Sequence, residues 1–103
     1  MHYVNQTITN YQITFDLSIW EKEKLVWLNN FIIPNEYRLK GLGTSIMSDF
    51  SKWLDSNEYD SKLLVSSCYG TSEYKLIDFY KKFDYKIYHE KNHKGIYMER
   101  KHG

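Results

Sequence analysis

Between Pro34 and Gly41 the hydrophobic period of this 103-residue chain switches from two residues to about 3.6, and that switch limits the architectures open to it. Upstream, Tyr11, Ile13, Phe15, Leu17 and Ile19 alternate with Gln12, Thr14, Asp16 and Ser18, as in a strand with one buried face. The polar break Trp20-Glu21-Lys22-Glu23-Lys24 separates it from a second strand over 25–33, which predicts a hairpin. Pro34, the only proline, removes a ladder donor and ends that strand. Downstream, Leu42, Ile46, Phe50, Trp53 and Leu54 share one helical face as far as about Ser56, with Ser48, Asp49, Lys52 and Asp55 mostly opposite.

After a polar turn over 57–61, Lys62-Leu63-Leu64-Val65-Ser66-Ser67 reads as a short interior strand. It lies parallel to its predecessor because a helix intervenes. Cys68 to Thr71 form a loop, with Thr71 or Ser72 as N-cap of a second helix. Its apolar stripe is Tyr74, Ile77 and Tyr80, or Leu76, Tyr80 and Phe83, and it ends near Asp84. Two last strands follow, 85–88 and 96–98, around the polar stretch 89–95, and then a short basic tail. The expected fold class is therefore α/β: one domain, residues 1–103, with two helices on a mixed twisted sheet.

Composition narrows the function classes. Apolar residues make up 42 %, charged ones 26 % and aromatic ones 17 %, so the chain can build a small core with large rigid pieces. A net charge of +1 gives no reason to expect nucleic acid or an acidic lipid as partner, and the C-terminal basics alternate with Asp84, Glu90 and Glu99 as a solvated face does. One cysteine, Cys68, excludes an internal disulfide, and no Cys/His spacing suits a structural zinc, so no metal is expected. The N-terminal stretch has neither the basic region nor the apolar run of a leader, and no segment approaches ~18 consecutive apolar residues. A cytoplasmic, reducing compartment is expected, with no membrane partner.

The segment with readable chemistry runs from Ile32 to Thr44: a strand end, a polar loop, and Gly41 and Gly43 opening a helix. The glycines permit a tight turn and close approach, and the N–H groups of a first helical turn suit a phosphate or pyrophosphate. Arg38 and Lys40 add positive charge, Arg with a fork suited to phosphate oxygens. The plainer reading is that the glycines only shape a strand-to-helix turn. The segment has neither the Gly-Lys-Ser/Thr of a P-loop nor the dinucleotide fingerprint.

Arg38-x-x-Gly41-x-Gly43, preceded by a strand and Pro34 and followed by Thr44-Ser45-Ile46-Met47, resembles the acyl-CoA pyrophosphate motif of the GCN5-related N-acetyltransferases. Leu76 to Tyr85 resembles the family's later helix and exit, with Tyr80, Lys82, Asp84 and Tyr85 at the corresponding places. The resemblance covers about residues 25 to 100, in the family's order.

It implies a fold of the acyl-CoA N-acyltransferase type and acetyl-CoA as acetyl donor. Backbone amides around Leu39, Lys40, Gly41, Leu42, Gly43, Thr44 and Ser45 would hold the pyrophosphate, with Arg38 and Lys82 alongside. Strands 25–33 and 62–67 would splay to admit the pantetheine arm, and backbone at Phe31, Ile32 and Ile33 would bond the thioester carbonyl. Tyr80 would donate a proton to the departing sulfur, a role that a phenol with an ordinary pKa of ~10 fills at neutral pH. The plainer reading of Tyr80, and the less favoured one, is a packed helical aromatic whose hydroxyl meets a backbone carbonyl.

An acceptor amine must also lose a proton. Glu36, Glu73 and Asp78 are carboxylates without diagnostic spacing, and an ordered water held by Asn29, Asn30 or backbone is the favoured relay. Cys68 reads as a small half-buried residue rather than a nucleophile.

The chain departs from the family at Leu39, where Gly is common, at Glu73 in place of Asn, and at Asp84 in place of a turn Gly. Asp84 is tolerable, because Asp enters left-handed turns readily. Only about ten residues precede the first clear strand, so the family's usual N-terminal helices are expected to be lacking and the acceptor side to be open. An open site favours a lysine on a protein over a small amine, or completion by a second subunit in a homodimer. The alternative is a non-catalytic module with this fold that senses acyl-CoA or binds a protein.

Overall fold

The computed structural model describes residues 8–34, 37, 41–65, 72–88 and 95–103. Strand β1 (Thr14–Trp20) and strand β2 (Leu25–Ile32) form an antiparallel hairpin in which Trp20 pairs with Leu25. The four-residue turn between them closes with the Lys24 N–H donating to the Glu21 carbonyl at 3.2 Å, and Lys24 takes a φ of 51°. Helix α1 (Leu42–Ser56), strand β3 (Asp60–Val65), helix α2 (Glu73–Lys81), strand β4 (Lys86–Tyr88) and strand β5 (Ile96–Arg100) follow. The sheet order is β1-β2-β3-β5-β4, and β2 and β3 are its parallel pair.

Both helices pack on one face of this sheet. Met47, Phe50 and Leu54 of α1 and Ile77 and Tyr80 of α2 share a buried cluster with Val26, Leu28, Leu63, Val65 and Met98 of the strands. Ile46 joins Ile13 in a smaller cluster with Phe31, Ile33 and Leu42 around the start of α1. At roughly 25 cal/mol per Å² of apolar area, such burial is the main force holding both helices to the sheet.

A bulge interrupts the hairpin. Asp16 pairs with Asn30 but Leu17 pairs with Leu28, so Asn29 is the extra residue on β2. Because side chains alternate along a strand, one added residue lets Leu28 and Phe31, three apart, face the same side. Phe31 there meets Phe15 edge-on, with ring centroids 5.2 Å apart.

Several details correct the sequence reading. Tyr11 closes a helical turn over 8–11 rather than starting β1, and Gln12, with φ 54°, turns the chain into Ile13 and the strand. Tyr74 is 83 % exposed, so the stripe of α2 is Leu76, Ile77, Tyr80 and Phe83. Ser61 belongs to β3 and is fully buried, with its hydroxyl 2.7 Å from the buried Tyr85 hydroxyl. Arg100 is no tail residue: it is 5 % exposed within β5. The left-handed conformation anticipated for Asp84 is present, with φ 70°.

Candidate functional site

The ladder between β2 and β3 runs only from Leu25 opposite Asp60 to Leu28 opposite Leu63. Both strands continue, β2 to Ile32 and β3 to Val65, with no pairing between them among the described residues. The gap opens at the bulged Asn29, beyond which β2 stays paired with β1 in a register shifted by one residue and leaves the ladder with β3. Phe31, Ile32 and Ile33, assigned by the resemblance to the thioester, are half-buried; Phe31 and Ile32 still pair with β1, and it is their β3 side that has no ladder among the described residues.

Helix α1 begins beyond the same end of β2. Gly41 is its N-cap with φ 74° and ψ 8°, a left-handed conformation that any other L-residue enters at a cost. Among the described residues the first helical bond is the Ser45 N–H donating to the Gly41 carbonyl at 3.0 Å, and the amides of Leu42, Gly43 and Thr44 come before it. Among the described residues no side chain caps this end, and no acid occupies its first turn. Helix α2 is the opposite case: the Ser72 hydroxyl accepts from the Lys75 N–H at 3.2 Å, and Glu73 sits in its first turn. Glu73 is exposed there, favourably placed for the positive end of α2.

Gly43 has a different reason to be glycine. A Cβ there would sit 3.3 Å from the Ile33 side chain and 3.4 Å from Phe79, so the start of α1 is pressed between β2 and α2. Phe79 thus ties α2 to the α1 entrance, and Tyr80 follows it, 8 % exposed, with its ring edge-on to Phe79 at 5.4 Å and to Tyr85 at 5.8 Å. Lys82 is the exposed C-cap of α2. Arg38, Leu39, Lys40, Glu36, Cys68 and Thr71 lie outside the described residues.

Asn29 and Asn30 are exposed beside the gap, and both are already engaged. Asn29 Nδ2 donates to Ser18 Oγ at 2.7 Å, and Asn30 Nδ2 to Asp16 Oδ2 at 3.3 Å. Asp16 is a carboxylate on β1, across β2 from the gap, and only the register brings it opposite Asn30. Asp78 is exposed on α2.

The sheet face away from the helices carries Trp27, Lys62, Tyr88 and Tyr97. Trp27 and Tyr97 meet edge-on at 6.2 Å, and Lys62 Nζ lies 4.9 Å from the Tyr88 ring centroid and 5.9 Å from that of Trp27. A shallow cleft on this face, lined by Glu23, Asp60, Lys62, Glu99 and Lys101, lies at the start of β2 and β3, the end opposite the gap. Among the described residues no group of three His, Cys, Asp or Glu could hold a metal ion. Among them too, no helix is long and apolar enough to cross a membrane.

Solved structures with the same arrangement decide the fold. Ard1 from Thermoplasma volcanium superposes with a TM-score of 0.68 at 18 % identity, over 87 % of this chain and 62 % of its own. PaiA N-acetyltransferase from Thermoplasma acidophilum, solved in complex with coenzyme A, gives 0.66 at 19 % identity, over 87 % and 53 %. This is the GCN5-related N-acetyltransferase fold. Nourseothricin acetyltransferase carries the GNAT fold as well, with a TM-score of 0.61 at 12 % identity over 84 % of this chain and 55 % of its own. The present chain thus spans between about half and three fifths of the length of these GNAT structures. No protein-family model and no curated protein matches the sequence.

Proposed function

We propose that this chain is an acetyl-CoA-dependent N-acetyltransferase acting on an amine, a lysine side chain of a protein in preference to a small free amine. The observation that carries the reading is the gap between β2 and β3, which starts at Leu28 and Leu63 and opens toward the uncapped, acid-free start of α1. A slot between two strands that lack a ladder there, beside the first amides of a helix, suits a long pantetheine arm ending in a pyrophosphate. PaiA, whose fold is shared over most of this chain, was solved with coenzyme A.

Acetyl-CoA, when bound, supplies an acetyl thioester. The amides of Leu42, Gly43 and Thr44 would hold its pyrophosphate, with Ser45, Arg38, Leu39, Lys40 and Lys82 alongside, and backbone at Phe31, Ile32 and Ile33 would orient the thioester carbonyl. Tyr80 would hold the proton that the departing sulfur takes. The acceptor needs a group to receive its proton, and Asp16, fixed by Asn30 beside the gap, is the carboxylate among the described residues best placed to do so, directly or through water. The broad face around Trp27 and Tyr97 has no helix over it among the described residues, which supports a protein acceptor over an enclosed metabolite. The reading places the reaction in the cytoplasm, with the reduced Cys68 taking no part.

Burial of Tyr80 among Phe79 and Tyr85 favours one competing reading, a module that binds acyl-CoA without turnover. Calorimetric titration with acetyl-CoA, with adenosine diphosphate as the control for the pyrophosphate alone, tests the shared premise; one saturable site per chain is expected. A folded sample that binds none would overturn both readings. Mass spectrometry of lysine-bearing proteins incubated with the protein and acetyl-CoA then separates them, since only the enzyme adds acetyl groups.

A further inference from the structure

Two of the large apolar side chains most open to solvent among the described residues, Ile19 at 46 % and Trp20 at 53 %, are neighbours on β1. β1 is an edge strand, with β2 on one side and no strand among the described residues on the other. An open edge offers a row of N–H and C=O groups to any second strand, and proteins ordinarily protect such edges with proline, lysine or brevity. β1 has seven residues, Thr-Phe-Asp-Leu-Ser-Ile-Trp, with no proline and no cation.

We infer that β1 pairs antiparallel with β1 of a second copy of this chain, about a two-fold axis through Leu17, joining two five-stranded sheets into one of ten strands. A two-fold axis normal to the sheet keeps the helices of both copies on one side and pairs residues of equal parity. Three centres leave most of the strand paired. An axis on Asp16 sets two carboxylates directly opposite each other, which is repulsive. An axis on Ser18 sets Phe15 against the partner's Glu21 and Asp16 against the partner's Trp20. The axis on Leu17 pairs all seven residues: Phe15 meets the partner's Ile19, Asp16 the partner's Ser18, and Thr14 the partner's Trp20. Apolar groups then meet apolar groups on the helix side, the lone carboxylate faces a hydroxyl, and both exposed side chains are covered. The strand is complementary to itself in this register alone.

Sedimentation velocity of the full chain across the micromolar range tests the inference, and a species of twice 12.5 kDa is expected. Ile19→Lys sets an ammonium against the partner's Phe15 and should return the monomer with an unchanged circular dichroism spectrum. Leu64→Lys, at a side chain 45 % exposed on the uncovered face, should leave the dimer intact. In a Cys68→Ser background, Leu17→Cys should form a disulfide-linked dimer on mild oxidation, because opposed Cα atoms in an antiparallel pair lie about 4.5–5.5 Å apart, within disulfide reach. A monomer at every concentration overturns the inference. So does a dimer that survives Ile19→Lys and gives no cross-link at Leu17→Cys, which would locate the contact on another surface.

Discussion

Arg100 reaches 45 residues back to grip Asp55, with Nη1 on Oδ1 at 2.8 Å and Nη2 on Oδ2 at 3.1 Å, while its Nε donates to the Phe83 carbonyl at 2.8 Å. The guanidinium is 5 % exposed and the carboxylate 37 %. One pair thus fastens the end of α1, the exit of α2 and the last strand. Removing the carboxylate strands a buried cation, which costs about 3–5 kcal/mol where both partners are buried and less where one meets water. Asp55→Ala is expected to lose about 2 kcal/mol of unfolding free energy in urea.

Acid should act on the same clamp. The hydrogen bond from Arg100 holds the Asp55 carboxyl below its ordinary value near 3.8, against the opposing effect of burial. At Asp60, burial raises the carboxyl, but the His102 backbone and ring and the Lys101 ammonium outweigh it and the net shift is downward. A carboxylate depressed in the folded state contributes stability that is present above its ordinary value and lost as pH falls through the folded one. The melting temperature should therefore fall steeply below about pH 4, and Asp55→Asn, measured over the same range, should fall less from its lower plateau.

Tyr85→Phe leaves the Ser61 hydroxyl buried without its 2.7 Å partner and should cost about 1–2 kcal/mol. Burial pushes the Tyr85 phenol up, so the bond persists through ordinary alkaline pH. Adding Ser61→Ala should restore part of the loss, and a double-mutant cycle in urea measures how much.

The two glycines at the start of α1 should fail differently. Gly41→Ala meets no atom within 4 Å but must hold a φ of 74°, so a loss of about 1 kcal/mol in stability is expected, read by urea denaturation. Gly43→Ala pushes on Ile33 and Phe79 and should reduce acetyl-CoA affinity several-fold in calorimetry by displacing the slot from the helix end.

Tyr80→Phe and Asp16→Asn test the two proton roles. Each should lower acetyl transfer by about a hundredfold while leaving acetyl-CoA affinity within about twofold. A rate unchanged in Tyr80→Phe would make that side chain a packing residue alone.

Much of this was legible in the sequence because it rests on periodicity. The alternation through Phe15 and Leu17 foretold a half-buried strand, and Leu42 to Leu54 foretold α1. Features that depend on a partner distant in sequence were not legible. The bulge at Asn29 is a mismatch between two strands, invisible in either alone. Asp16 comes opposite Asn30 through the register, and Ser61, polar and beside a turn, is buried because Tyr85 meets it. Arg100 looked like a tail cation because its counterion lies 45 residues away. Tyr11 fitted the period-two pattern of β1 although it ends a helical turn over 8–11, and the left-handed turn at Gln12 that separates the two leaves no mark in the alternation.

The strand order also sets a sequence of events for folding. β5 is spatially interior although it follows β4 in the chain, and among the described residues β4 has β5 as its sole sheet neighbour. The three residues of β4 can hold their place only after β5 has docked on β3, so the β4–β5 ribbon must arrive as a unit or β4 must wait. Amide exchange should record this asymmetry: β4 opens whenever β5 detaches, while β3, held by β2 as well, stays protected through the same event.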